Sequence, residues 1–298
     1  MSKLLKYLIF TFATSYALQI LGSHDLNVDN PSGLITFNYA VSMCMFMPTI
    51  GVLIARGNIR EMGWNPRFGE NIKSLLFVWL SPTVFQIVGS LCYFIVYPGD
   101  FNLSGIYLKE TDPAAFEELK NSGGSYIGYV AREVFSSFTS FFVLPSVIMG
   151  MGEEIGWRGF MYPELKERFG RTKGRLLGGV IHGTWHFPLM LLIGYEYGDD
   201  YIGAPVFGLF VFCIFTVTTG IITDYIYEKS GSIWFAGMLH GTINSSFNPY
   251  MTMKGYYPDR TVLGPSNVGL IAVIPMALFA AGIIYFEKRR ESMEYADF

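Results

Sequence analysis

The chain has 298 residues; 51% belong to the AVILMFWYC set, only 15% are charged, and the formal net charge is −3. A soluble domain usually carries about a quarter charged residues, so with a mean hydropathy of +0.35 a soluble globular protein is excluded. The small net charge also argues against a nucleic-acid or polyanionic partner. Residues 201–223 and 265–286 contain no charged side chain at all, and each run can cross a hydrocarbon core of roughly 30 Å as a helix. The chain is expected to be an all-α polytopic protein of the cell membrane, with about eight transmembrane helices.

The N-terminal run MSKLLKYLIF is followed by Ser23-His24-Asp25 and not by a small-residue cleavage site, so it reads as an uncleaved first span. Apolar segments then predict spans near 5–22, 34–55, 74–97, 126–150, 176–195, 204–227, 232–249 and 266–286. With the N-terminus in the cytoplasm, the inner segments carry Lys3, Lys6, Arg56, Arg60, Arg67, Lys73, Lys166, Arg168, Arg171, Lys173, Arg175, Lys229, Lys288, Arg289 and Arg290. The outer ones carry only Lys109, Lys120, Lys254 and Arg260. This asymmetry supports eight spans with both termini cytoplasmic. The outer connection 98–124 is acidic and predicts a short surface helix over 113–120. Cys44, Cys92 and Cys213 lie in apolar segments without CxxC spacing and read as small buried hydrophobes. With no internal repeat and no low-complexity linker, 1–298 is expected to be a single membrane domain.

Several polar residues fall inside the apolar segments, where a charged group costs at least about 2.5 kcal/mol and marks a functional candidate. Glu153, Glu154 and Arg158 stand between apolar flanks, His182 and His186 lie in the fifth span, and His240 and Asn244 in the seventh. Glu154 and Arg158 are i,i+4 on a helix and can pair, which turns Glu153 about 100° away, without an evident partner of its own. His182/His186 and His240/Asn244 are also i,i+4, so each pair shares a helix face. Counting 1.5 Å per residue brings the three groups to one level in the cytoplasmic half of the membrane, and Pro145 offers a kink that bends the polar end of the fourth span inwards.

A buried carboxylate beside a neutral imidazole can orient a water and take its proton, and an imidazole with a carboxamide one turn away can donate hydrogen bonds to an oxyanion. No Ser or Cys is paired with these histidines at a recognisable spacing, so a covalent nucleophile is not indicated. Peptide-bond hydrolysis is the chemistry that this set suits.

Glu153-Glu154-xxx-Arg158, then His186 in a Trp-His-Phe-Pro context, then His240-xxx-Asn244 resemble the three motifs of the CPBP intramembrane proteases, which include the CAAX prenyl-protein endopeptidases and the bacteriocin-processing and self-immunity proteins. The resemblance covers 125–250 in detail, the expected core. It implies Glu153 and His186 as activators of water, His240 and Asn244 as an oxyanion hole, and Glu154 and Arg158 as support. It further implies a membrane-tethered peptide or protein substrate, prenylated or not, and a site that opens towards the cytoplasm or laterally into the inner leaflet. One position departs from the pattern: four residues before the second-motif histidine, where an aromatic is usual, stands His182. It reads as structural, since nothing beyond its shared face with His186 recruits it.

Three alternatives stand beside this reading. His182-xxx-His186, with His240 or Glu153, has the composition of a zinc site, although the HExxH glutamate is missing because Gly183 follows His182; no metal cofactor is expected. Polar groups converging between helices also describe a transporter, though no duplicated halves are visible. A non-enzymatic scaffold that binds a peptide, as an immunity protein would, is the third.

Overall fold

A bilayer core supplies no water to satisfy backbone groups, so a spanning segment must bond internally. The computed structural model describes residues 1–24, 26, 31–139, 143–255 and 257–296, and its secondary structure among these is helical apart from one isolated antiparallel bridge between Phe101 and Met253. The helices are α1 Lys3–His24, α2 Pro31–Cys44, α3 Met47–Ile54, α4 Ile72–Val96, α5 Ile106–Thr111, α6 Pro113–Asn121, α7 Tyr126–Thr139, α8 Val143–Gly156, α9 Tyr162–Phe169, α10 Arg171–Trp185, α11 Phe187–Ile193, α12 Val206–Ser230, α13 Ile233–Asn244 and α14 Ile274–Ala296. The short surface helix is α6, capped by Asp112, whose side chain accepts from the Ala115 amide.

Among the described residues, four runs are long and apolar enough to cross a membrane: α1, α4, Arg171–Ile193 and α12. The count rises to six if two bent pairs each form one span, α2 with α3 at 41° and α7 with Leu144–Phe169 at 54°. Eight were expected, and the last two differ most. The seventh is a helix for only 12 residues, α13. The eighth begins as a helix at Ile274 and not at 266, because Gly264-Pro265 and the chain after them fold back: Leu270 N–H donates to the Val262 carbonyl and Ile271 N–H to that of Leu263. Side chains satisfy what this irregular backbone leaves open. Pro265 O accepts from Gln86 Nε2 at 3.2 Å and Ser90 Oγ at 3.0 Å, and Val268 O from the Tyr197 hydroxyl at 2.7 Å. Non-helical backbone is tolerated at such depth only when it is buried in protein and satisfied in this way.

The predicted fourth span ends at 150, but the helical path runs on to Phe169, through a π turn at Trp157–Met161. Residues 140–142, where the kink before Pro145 was expected, lie outside the described residues. Pro145 itself stands in the first turn of α8, where its missing N–H leaves no helical bond unmade.

Three packing features position the polar groups. Along α1 the buried residues are Leu4, Tyr7, Thr11, Ser15, Gln19 and Gly22, a single stripe spaced by three and four that turns polar side chains inwards. Between α8 and α13, Gly237 and Gly241 let the backbones come close: a Cβ on Gly241 would fall 2.6 Å from the Val147 amide nitrogen, and one on Gly237 2.3 Å from Met151 Sδ. This is the small-xxx-small approach of membrane helix pairs. Finally, Arg175, expected in an inner connection, is inside α10 and fully buried; it pairs with Asp224 at 2.6 Å, Glu228 at 2.8 Å and Glu287, and so ties α10 to α12 and α14.

Candidate active site

Glu153 and Glu154 occupy the last turn of α8, and the π turn follows at once. A π turn widens a helix by one residue and is frequent at functional sites. Here it carries Trp157 and Arg158, each four residues after a carboxylate. Arg158 Nη1 donates to both oxygens of Glu154, at 2.7 and 2.8 Å, and both side chains are about 1% exposed. The guanidinium also lies over the Tyr162 ring at 4.8 Å. An unpaired ion at this burial would be prohibitive, and the ion pair, with Nη1 shared between both carboxylate oxygens, is what makes it tenable.

Glu153 was expected to lack a partner, and the structure corrects this. Its Oε2 accepts from Trp157 Nε1 at 3.1 Å and lies 3.1 Å from His182 Nε2. The residue read as structural, His182, is therefore the imidazole in contact with Glu153. Its i,i+4 neighbour His186 is not; His186 Nδ1 sits 3.2 Å from the His182 carbonyl, and the two rings are 5.4 Å apart. Donation of Nδ1–H to that carbonyl leaves His186 Nε2 as an acceptor. His186 stands where the fifth span is interrupted. Pro188 has no N–H for the Thr184 carbonyl, which accepts instead from the Tyr16 hydroxyl at 2.7 Å, while Gln19 Nε2 donates to the Trp185 carbonyl at 3.0 Å. Tyr16 and Gln19 of α1 thus satisfy the carbonyls left open at the break beside His186.

On α13, His240 Nδ1 is 2.8 Å from Glu154 Oε1, and its Nε2 is 4.0 Å from Glu153 Oε1. Asn244, one turn on, makes no side-chain hydrogen bond among the described residues. Glu153, His182, His186, His240 and Asn244 all line one cavity of about 540 Å³. The arrangement unites a buried carboxylate, three imidazoles and a carboxamide around a space large enough for a peptide segment. Among the described residues no group of three or more His, Cys, Asp or Glu that could hold a metal ion is found.

Two comparisons bear on this site. Residues 135–246 match the family described as type II CAAX prenyl endopeptidase Rce1-like. A CAAX prenyl protease 2 from Methanococcus maripaludis is 28% identical over 138 residues, which is 46% of this chain and 46% of that protein. The matched stretch holds all three motifs with their contacts. Over residues 135–246 the chain is thus similar to the CAAX prenyl endopeptidases. The match spans under half of the curated relative, and the cavity wall extends beyond residues 135–246, to Gln19, Gln86, Asn248 and Asn267.

The cavity reaches Tyr195, Asn244 and Asn248, which are exposed, and none of residues 56–73, 164–175 or 228–232 lines it. On the charge-based orientation the first set is outer and the second inner, so the cavity extends towards the connections assigned to the outside, whereas an opening towards the cytoplasm or laterally into the inner leaflet was expected. Glu153 lies near the end of α8, and the cavity runs from it past His240 and Asn244 to Asn248. Sequence reasoning missed Trp157, although its i,i+4 relation to Glu153 was available. It also passed over Gln19 and Gln86, polar residues in apolar spans whose partners only the fold supplies.

Proposed function

We propose that the chain is a multi-pass endopeptidase of the CAAX-processing type, resident in the cell membrane with both termini cytoplasmic, that hydrolyses a peptide bond in a membrane-tethered peptide or protein, prenylated or not. The observation that carries the reading is Glu153: a carboxylate 2% exposed, with one oxygen bonded and the other free beside His240, in a cavity shared with His186 and Asn244.

In this reading a water lies between Glu153 and His186 Nε2. It attacks the scissile carbonyl carbon while Glu153 takes its proton. The carbonyl oxygen becomes an oxyanion, which accepts from Asn244 Nδ2 and, with the imidazole charged between the two glutamates, from His240 Nε2–H. Collapse of the tetrahedral intermediate breaks the C–N bond. Glu153 then returns the proton to the departing nitrogen, which leaves a carboxylic acid and an amine. Water activation rests on protein groups alone: Asn244 is a poor zinc ligand and a good oxyanion donor, and Glu153 with His186 suffices for the water.

The test is cleavage of membrane-tethered peptides in liposomes by wild type and by Glu153→Gln. The reading expects loss of cleavage with an unchanged melting temperature. Full cleavage by Glu153→Gln would overturn it, and a Glu153→Gln protein that retained the chain's biological activity would favour the scaffold.

A further inference from the structure

The contacts of Glu153 are one-sided. Oε2 lies 3.1 Å from Trp157 Nε1 and 3.1 Å from His182 Nε2, whereas Oε1 has no direct hydrogen bond among the described residues and faces His240 Nε2 at 4.0 Å. Trp157 can only donate. His182 Nδ1 is buried without a partner, so a neutral ring places its single proton on Nε2, because an N–H buried without an acceptor forfeits its hydrogen bond entirely. Both contacts are then donations to one oxygen of an acceptor-only carboxylate. Each donor is itself held. Trp157 is fully buried, edge-on to Tyr7 at 6.0 Å and to Trp185 at 5.9 Å, and the His182 ring is 5.1 Å from the indole.

We infer that Trp157 and His182 are positioning residues that grip Glu153 by Oε2 and thereby assign Oε1 as the oxygen that takes the proton from water. His182 acts as a fixed N–H donor, and the aromatic usual at its position could not do this. Without the grip the carboxylate can rotate about its terminal bond and present either oxygen. A base misplaced by about 1 Å loses on the order of 100-fold in rate. The grip is a statement about structure; its kinetic consequence rests on the protease reading above.

The test uses full-length protein in liposomes with a membrane-tethered fluorogenic peptide. His182→Phe keeps an aromatic ring and removes the donor. It is expected to lower kcat by about 100-fold and leave KM within about twofold, because alignment is lost and binding is not. His182→Gln keeps an N–H donor and is expected to recover at least about tenfold of that loss; Trp157→Phe should lower kcat without raising KM. A second measurement does not depend on turnover: the infrared carboxylate band of Glu153, identified by its disappearance in Glu153→Gln, should shift in His182→Phe. An unshifted band, or a folded His182→Phe protein with wild-type kcat, overturns the grip. Should wild type cleave no peptide, the protease reading fails, and the band shift still decides whether Trp157 and His182 hold Glu153.

Discussion

His240 Nδ1 lies 2.8 Å from the same Glu154 oxygen that Arg158 Nη1 approaches at 2.7 Å. One carboxylate thus orients the imidazole on α13 and neutralises the guanidinium in the π turn. Glu154→Gln keeps the shape of this junction and removes its charge. Because it leaves the buried Arg158 guanidinium uncompensated it should lower the melting temperature, and in the folded protein it should lower kcat on a membrane-tethered peptide by about 100-fold through a misaligned oxyanion donor, with KM nearly unchanged. A rise in KM at constant kcat would mean that Glu154 acts on binding.

Arg158 tests the support directly. Removal of one partner of a buried pair costs about 3–5 kcal/mol, because the other charge is left uncompensated. Arg158→Ala should therefore reduce both folded yield and activity, read by thermal melting in detergent and by cleavage in liposomes. Normal melting with full activity would show that the pair bears no load.

The approach of α8 to α13 can be separated from the chemistry. A Cβ at Gly241 would meet the Val147 backbone at 2.6 Å, whereas one at Gly282 of α14 meets nothing within 4 Å. Gly241→Leu should cost about 1–3 kcal/mol by overpacking and move His240 away from Glu154, so activity should fall although no catalytic group is touched. Gly282→Ala should leave both melting temperature and activity at wild-type levels.

The absence of a metal requirement is an expectation about donors. A catalytic zinc needs three protein ligands at about 2.0–2.2 Å, whereas Glu153 Oε2 is engaged by Trp157 and His182, and Asn244 beside His240 is a poor zinc ligand and a good oxyanion donor. Purified protein with negligible metal by elemental analysis should retain full activity. Activity that vanished on chelation and returned with stoichiometric Zn²⁺ would reverse this and make His182 a ligand.

The side from which the cavity is reached is open to chemical labelling. Asn248 is an exposed residue of the cavity wall. In intact cells, Asn248→Cys should react with a membrane-impermeant maleimide added outside, above the background of the three native cysteines. Labelling only in inverted vesicles would place the basic connections outside and reverse the orientation.

The all-helical class, the apolar spans and the three polar motifs were legible in the sequence, since they rest on local rules: twenty apolar residues cross a bilayer, and residues four apart share a helix face. Glu154 and Arg158 could be paired on that ground alone. Local rules also set the limits of the reading. They recognise His182 and His186 as neighbours but not which of them meets Glu153, because that depends on how α8 is rotated against α10, and a π turn changes that rotation by a residue. They mark Gln19 and Gln86 as anomalies in apolar helices without naming the Trp185 and Pro265 carbonyls, 166 and 179 residues away in the chain, that accept their hydrogen bonds. They extend the eighth span through 266–273, because apolar composition is the same whether a backbone is satisfied along a helix or by the side chains of a neighbour. Hydropathy and spacing therefore determined the helical class and which polar residues could act together; only tertiary packing, by pairing groups distant in sequence, decided which contacts they make and that Arg175 is buried.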